Sequence, residues 1–78
     1  MIIKNQNDLL LLLNMYINNT KHTQAEISKK LNIAESNVSR TFKGKHKVNI
    51  DTLISYIEAV DGQLDVNIVP KQSNNDSK

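Results

Sequence analysis

The stretch that decides the fold is residues 23–42, TQAEISKKLNIAESNVSRTF. It divides into two short segments, 23–31 and 35–42, and each holds a pair of apolar residues four apart. The two pairs are Ile27 with Leu31 and Val38 with Phe42. A spacing of four places both members of a pair on one helix face. Asn32, which tolerates the left-handed backbone conformation, stands where the first segment must end. The stretch therefore predicts two short helices joined by a tight turn, a helix-turn-helix.

Local signals at the ends of these segments support the two helices. Thr23 and Glu26 have the spacing of a capping box, in which the Thr hydroxyl accepts the Glu amide and the Glu side chain reaches back. Glu26 also precedes Lys30 by four residues, the favourable order for a helical ion pair. Ala34 takes the capping position of the second helix, and a poor cap costs about 1 kcal/mol. Gly44 stops that helix.

The preceding chain predicts a first helix that is capped by Asn7 or Asp8 and runs to about Asn18. A connector over 18–22 follows it. Five residues form its predicted apolar face: Leu9, Leu12, Leu13, Tyr16 and Ile17. Leu10 and Leu11 lie off that face. They either widen the core contact or touch a second subunit, and wider core contact is the favoured alternative.

The chain after the two central helices predicts one more helix and a strand. Asp51 or Asn49 caps the helix, and Gly62 ends it. Its apolar face is Leu53, Ile54, Ile57 and Val60. Apolar residues then alternate with others over 63–69, at Leu64, Val66 and Ile68. A period of two is typical of a strand, and Pro70 stops it.

These elements predict an all-α fold of four to five short helices with a helix-turn-helix, plus a C-terminal β-strand used in dimerisation. Residues 1–70 form one domain, because 78 residues are too few for two. The polar residues 71–78 are expected to be a disordered tail. Met1-Ile2-Ile3 fits either a short strand or a lid on the first helix.

Composition excludes several classes of function. The chain has no cysteine, so disulfides and thiolate metal sites are excluded. His22 and His46 lack a ligand-like spacing, so we expect no metal and no cofactor. No nucleophile–base pair or phosphate-cradling glycine loop is visible, so we expect no enzymatic activity. No apolar run is long enough for a membrane span or a secretory signal, and a cytoplasmic protein is the simplest interpretation.

The charge is unevenly distributed along the chain. Residues 21–47 hold seven basic and two acidic side chains, a net charge of +5, whereas the remaining residues carry −3. A basic segment of this kind favours a polyanionic partner. The alternative is an ordinary solvated helix face, and on charge alone the two interpretations are about equal.

Residues 23–60 resemble the helix-turn-helix family of phage repressors and Cro proteins, often called the Xre family. The matching residues are Thr23-Gln24, Ile27, Leu31, Ile33, Val38, the Phe42-x-Gly44 ending and the Asp51-Thr52-Leu53 helix start. The chain departs from the family pattern at Ser28, where Ala is usual, and at Asn32, where Gly is usual. The resemblance implies sequence-specific binding of double-stranded DNA. It also implies that Gln24 contacts the DNA backbone from a helix N-terminus.

The outward residues of the second helix have the chemistry to contact base edges. Arg40 can bridge guanine O6 and N7, Asn37 can pair with adenine, and Glu35 can accept from cytosine N4. The other predicted contacts are Ser36 and Ser39, to bases or phosphates, and Lys43, Lys45 and Lys47, to phosphates. Each has a simpler alternative: Glu35 favours the helix dipole, and the polar residues are solvated surface. Arg40 is the strongest candidate.

Three functions fit this pattern. The first is a dimeric repressor that binds a palindromic operator through the recognition helix 35–42, with the homodimer formed by pairing of the strand 63–69. The alternative is an antitoxin, which binds both DNA and a toxin protein; a neighbouring toxin gene would favour it. The third is a protein-binding module such as a phage-encoded inhibitor. Within a monomer, the strand would instead pair with Met1-Ile2-Ile3.

Overall fold

A computed structural model describes residues 1–71 of the chain and places four α-helices there. Their bounds are α1 Gln6–Thr20, α2 Gln24–Leu31, α3 Glu35–Lys43 and α4 Ile50–Ala59. The predicted all-α fold of four to five short helices is confirmed, with four helices in residues 1–71. Helices α2 and α3 follow the predicted segments to within one residue at each end, and α2 packs against both α3 and α4.

Helix α1 is longer than predicted at both ends. Its N-cap is Asn5, whose side-chain oxygen accepts the Asp8 amide at 3.0 Å, so neither Asn7 nor Asp8 is the cap. The helix continues through Thr20, and Lys21 takes the left-handed conformation (φ 64°) that ends it. Most of the predicted connector is therefore helical, and only residues 21–23 separate α1 from α2.

The buried face of α1 is rotated relative to the prediction. Leu10, Leu13 and Ile17 are buried, whereas the predicted core residue Leu12 is 37% exposed. Leu10 therefore widens the core contact, as the favoured alternative required. Leu11 is 53% exposed and does not. A run of five leucines places apolar side chains all round the helix, so the run itself does not define which face turns inward.

The α2–turn–α3 unit forms by the local signals described above. Thr23 Oγ1 accepts the Glu26 amide at 3.1 Å, and Asn32 has the left-handed φ of 57°. The Ile33 amide then donates to the Ser28 carbonyl oxygen at 3.0 Å, which closes the turn. The other half of the capping box is a hydrogen bond from the Thr23 amide to the Glu26 side chain, and it is not formed within residues 1–71. The Glu26 carboxylate pairs with His22 instead.

Helix α4 is capped by Asn49, whose side-chain oxygen accepts the Thr52 amide at 2.8 Å. The left-handed residue after it is Asp61 (φ 62°) and not the predicted Gly62. Gly62 instead lies in a closely packed position. A Cβ there would lie 3.0 Å from Ile57 Cγ2 and 3.2 Å from Tyr16 Cε2.

One core joins all four helices. Its buried residues are Leu13 and Ile17 from α1, Ile27 from α2, Val38 from α3, and Tyr56, Ile57, Ala59 and Val60 from α4 and its C-cap. Phe42 packs against this core while remaining partly exposed. Ile54, predicted on the inner face of α4, is also only half-buried. The core fixes α3 by its inner side and leaves its outer side in solvent.

The predicted C-terminal strand is not present within residues 1–71. Leu64 packs against the core, but Val66 is 65% exposed and Ile68 fully exposed. Met1-Ile2-Ile3 forms no strand either and is exposed. A strand needs a hydrogen-bonded neighbour, and these two segments do not pair. The predicted disordered tail falls, from residue 72 onward, outside the described residues.

Candidate nucleic-acid interface

Helix α3 presents a polar face that its packing turns outward. Val38 and Thr41 are its buried residues, and both lie on the side that meets α2 and α4. Ser36, Arg40 and Lys43 are exposed. Their spacing of four and three places these three residues on a single outer stripe, opposite Val38.

The remaining predicted residues of α3 lie on either side of this stripe. Glu35 and Asn37 are exposed, and Ser39 is half-buried. Within residues 1–71, the side chains of all six α3 residues predicted to contact DNA make no hydrogen bond or ion pair to another part of the chain. The outer face of α3 is therefore not occupied by internal contacts, and its donors and acceptors are available to a ligand.

A buried hydrogen-bond chain holds α3 against α4. Tyr56 and Thr41 are both buried, and their hydroxyl oxygens lie 3.2 Å apart. Thr41 Oγ1 donates its single proton to the Asn37 carbonyl oxygen at 3.0 Å, so the Tyr56 hydroxyl must be the donor between the two side chains. The Tyr56 and Phe42 rings also pack with centroids 6.1 Å apart. The sequence prediction missed Tyr56, which was not placed on the apolar face of α4.

The basic loop, residues 45–48, extends the candidate interface beyond the C-terminus of α3. Gly44 ends the helix with φ 69°, and its Cα faces the Asn7 side chain so closely that a Cβ would overlap the Asn7 amide. Lys45, His46 and Lys47 follow and are exposed. Gln6 of α1 makes hydrogen bonds to the main chain of this loop. Neither the Gln6 nor the Asn7 contact was predicted, because each joins residues about 40 positions apart.

An ion-pair network lies beside the N-terminus of α2. Glu26 Oε1 lies 2.8 Å from His22 Nδ1, and Glu26 Oε2 lies 3.4 Å from Lys30 Nζ. Asp61, just beyond α4, lies 4.0 Å from His22 Nε2 and 3.8 Å from Lys30 Nζ. The His22 hydrogen bond, aided by Lys30, lowers the pKa of the Glu26 carboxyl below its ordinary value of 4.5. The network ties α2 to the end of α4.

The three potential ligand groups of this network, His22, Glu26 and Asp61, lie within 4.8 Å of one another. Sequence spacing did not predict this cluster, because Asp61 is brought in by the fold. Lys30 already supplies a cation to both carboxylates, so the cluster is accounted for as an ion-pair network. The expectation that the chain holds no metal stays a prediction.

Gln24 and the dimerisation residues belong to elements other than α3. Gln24 is the first residue of α2 and is half-buried. Leu64, Val66 and Ile68 follow α4, and only Leu64 contacts the core. The structure thus brings the α3 residues and Lys43 together on one helix. Lys45 and Lys47 follow directly after it, and the three predicted dimerisation residues form a separate segment.

Comparison with known proteins returned no match: no protein-family model, no curated protein and no solved structure is significantly similar to this chain. The resemblance to the Xre family therefore rests on the residues quoted above. Within residues 1–71, no helix has the length and apolar character needed to cross a membrane.

Proposed function

We propose that this protein is a sequence-specific DNA-binding transcription regulator that acts as a homodimer on a two-fold symmetric site. The observation that carries the proposal is the outer stripe of α3, with Ser36, Arg40 and Lys43 exposed on a helix whose opposite side is fixed in the core. A helix of this size fits the major groove of B-DNA, where its outward side chains meet base edges.

The side chains of the stripe match what the groove offers. Arg40 can donate two hydrogen bonds to guanine, the commonest specific contact in protein–DNA complexes. Asn37 and Glu35, on the flanks of α3, complement adenine and cytosine. Lys43, Lys45 and Lys47 continue from the stripe into the loop and supply charge for phosphates, which fix the register of the helix on DNA.

The location of the unpaired basic side chains supports this proposal over an ordinary solvated surface. Lys30 lies within 4.0 Å of two carboxylates and therefore has ion-pair partners within the chain. Arg40, Lys43, Lys45 and Lys47 have no such ion pair among the described residues. Their charge is concentrated at one end of the molecule's central motif, which favours a polyanion over solvent alone.

The dimer is proposed from the segment 63–69. Val66, Ile68 and Val69 are exposed apolar residues close together in the sequence, and a second copy packed on this segment would remove them from water. Antiparallel pairing of two copies about a symmetry axis would satisfy the backbone groups of both. It would also place the two α3 helices ~34 Å apart, which is the spacing of two half-sites separated by one turn of DNA.

Selection of bound sequences from a pool of random duplexes tests the proposal. The full chain is expected to enrich a two-fold symmetric sequence. In a parallel selection, Arg40→Ala should lose preference at one base pair per half-site, with specific binding weaker by about 1–3 kcal/mol. Lys71→Ala, which removes one exposed charge outside α3 and the basic loop, is the control and should select the same site as the wild type. Unchanged specificity in a folded Arg40→Ala protein would remove Arg40 from the contacts to bases.

An antitoxin is the second candidate, and the outer face of α1 favours it. Leu11, Leu12 and Met15 are exposed there, although a DNA-binding domain has no need of apolar residues at this position. A toxin bound to this face would leave α3 free. Leu11→Glu is then expected to abolish neutralisation of a toxin encoded beside this gene while leaving DNA binding intact. Neutralisation that survives this substitution would contradict the proposed face.

A further inference from the structure

The Gln6 side chain bridges two main-chain groups of the basic loop. Its Nε2 donates to the His46 carbonyl oxygen at 2.8 Å, and its Oε1 accepts from the Val48 amide at 2.8 Å. The carboxamide thus takes the place that a neighbouring strand would take, with one donor and one acceptor used together. Both bonds join residues 40 or more positions apart.

The two Gln6 hydrogen bonds hold the loop to α1. In the part of the chain that the structure describes, residues 45–48 make no other hydrogen bond. Lys45, His46 and Lys47 have exposed side chains, and only Val48 is half-buried. A four-residue loop with so few contacts would sample many conformations without the carboxamide, because conformational entropy favours the disordered loop.

The first turn of α1 also defines where this loop begins. Asn7, next to Gln6, packs against the Cα of Gly44, so the recognition helix ends against α1. Gln6 then holds the loop two and four residues further on. The two adjacent residues of α1 therefore set both the start and the course of the loop.

We propose that Gln6 is a positioning residue for DNA binding, which holds Lys45 and Lys47 in the geometry that meets the phosphate backbone. This inference rests on the proposed function. A loop whose main chain is ordered before binding loses less entropy on binding. Ordering the backbone of one residue is equivalent to a factor of roughly 5 to 30 in an equilibrium constant, so loss of the bridge is expected to weaken DNA binding by roughly 5- to 30-fold.

The test uses Gln6→Met in the full chain, because methionine is close to glutamine in length and removes both hydrogen bonds. Asn19→Met is the matched control, since it removes an exposed carboxamide from the opposite end of the same helix. Two measurements are compared: hydrogen exchange of the Val48 amide in the free protein, and the Kd for the selected duplex. Gln6→Glu retains an acceptor for the Val48 amide and is a second variant for the exchange measurement.

We expect Gln6→Met to speed exchange at Val48, to raise Kd by roughly 5- to 30-fold and to leave the thermal transition close to that of Asn19→Met. Gln6→Glu should keep Val48 protected. If Gln6 has a purely structural role, Gln6→Met should lower thermal stability, and Kd should rise as a consequence. If Gln6 is a positioning residue, exchange at Val48 and Kd should change while thermal stability does not.

Three results would overturn the inference. Val48 protection that persists in Gln6→Met would show that the bridge does not hold the loop. Loss of protection with an unchanged Kd would show that loop order does not matter for binding. A wild-type chain that binds no duplex would refute the proposed function, and this inference with it, whereas normal binding by Gln6→Met refutes the inference alone.

Discussion

Thr41 shows how one residue links α3 to the core. Its hydroxyl donates to the Asn37 carbonyl oxygen and accepts from the Tyr56 hydroxyl, so it has a partner in both roles. No buried side-chain nitrogen or oxygen in the described part of the chain is left without a partner. Because buried polar groups are expensive to leave unpaired, this pair fixes the distance between α3 and α4.

We predict that Thr41→Val destabilises the protein by about 1–3 kcal/mol, since it leaves the buried Tyr56 hydroxyl without an acceptor. Tyr56→Phe in the same background removes the stranded hydroxyl and should restore part of that loss. Urea denaturation of the two single variants and the double variant measures the coupling. If the two costs simply add, the hydroxyls are not coupled and the hydrogen bond does not contribute.

Residue-level prediction from sequence worked where the signal is local. Thr23, Asn32 and Gly44 end or begin helices as expected, because capping depends on a residue and its near neighbours. It failed for Gln6 and Tyr56. Their partners lie 15 to 42 positions away, and no local pattern encodes a contact over that distance.

Among the elements, α3 begins without a side-chain cap. Ala34 is in the extended conformation of an N-cap (φ −68°, ψ 142°), but its methyl group cannot accept a hydrogen bond from the first turn. The other three helices are capped by Asn5, Thr23 and Asn49. The helix proposed to enter DNA is therefore the one whose first amides lack a side-chain acceptor, as the sequence predicted.

Ala34→Ser is expected to stabilise the protein by about 0.5–2 kcal/mol, because the serine oxygen can accept an amide of the first turn. Thermal or urea unfolding measures the gain. Ala25→Ser is the control, since Ala25 is exposed inside α2 and a serine there gains no capping bond. A stability of Ala34→Ser equal to or below that of the control would mean that the first turn of α3 is already satisfied or differently placed.

Apolar spacing was enough to predict that each of these helices forms and roughly where it lies, but not which face of α1 turns inward. Its five consecutive leucines fit several faces equally well, and the inward one is selected by contact with the other helices. The prediction of a strand over residues 63–69 failed for a related reason. Alternation predicts a strand only if a partner exists, and within residues 1–71 none pairs with it.

At the scale of the molecule, exposed apolar residues cluster in three places among residues 1–71. These are the outer face of α1, with Leu11, Leu12 and Met15, the segment after Leu64, and Met1-Ile2-Ile3 at the N-terminus. A chain of 78 residues buries a modest core, so association with a second copy would contribute to stability. The segment 63–69 is the preferred interface, because its backbone also needs partners.

We predict that Val66→Asp converts the dimer to a monomer and strongly weakens binding to a full two-fold symmetric duplex. A buried, unpaired carboxylate is costly in an apolar interface. Asn67→Asp is the matched control, because residue 67 points to the opposite side of a strand. Light scattering gives the mass. A Val66→Asp protein that remains dimeric and binds normally would contradict a dimer interface at residues 63–69. The outer face of α1 would then be the preferred dimer interface.

The central claim is that α3 and the basic loop contact DNA. The most direct measurement is a titration of ¹⁵N-labelled protein with the selected duplex, followed by the backbone amide shifts. The account predicts shifts concentrated at residues 35–48 and at the start of α2 near Gln24, with the outer face of α1 unaffected at Leu11 and Met15. Shifts centred on that outer face, or no shift at residues 35–48 while DNA binds, would contradict it.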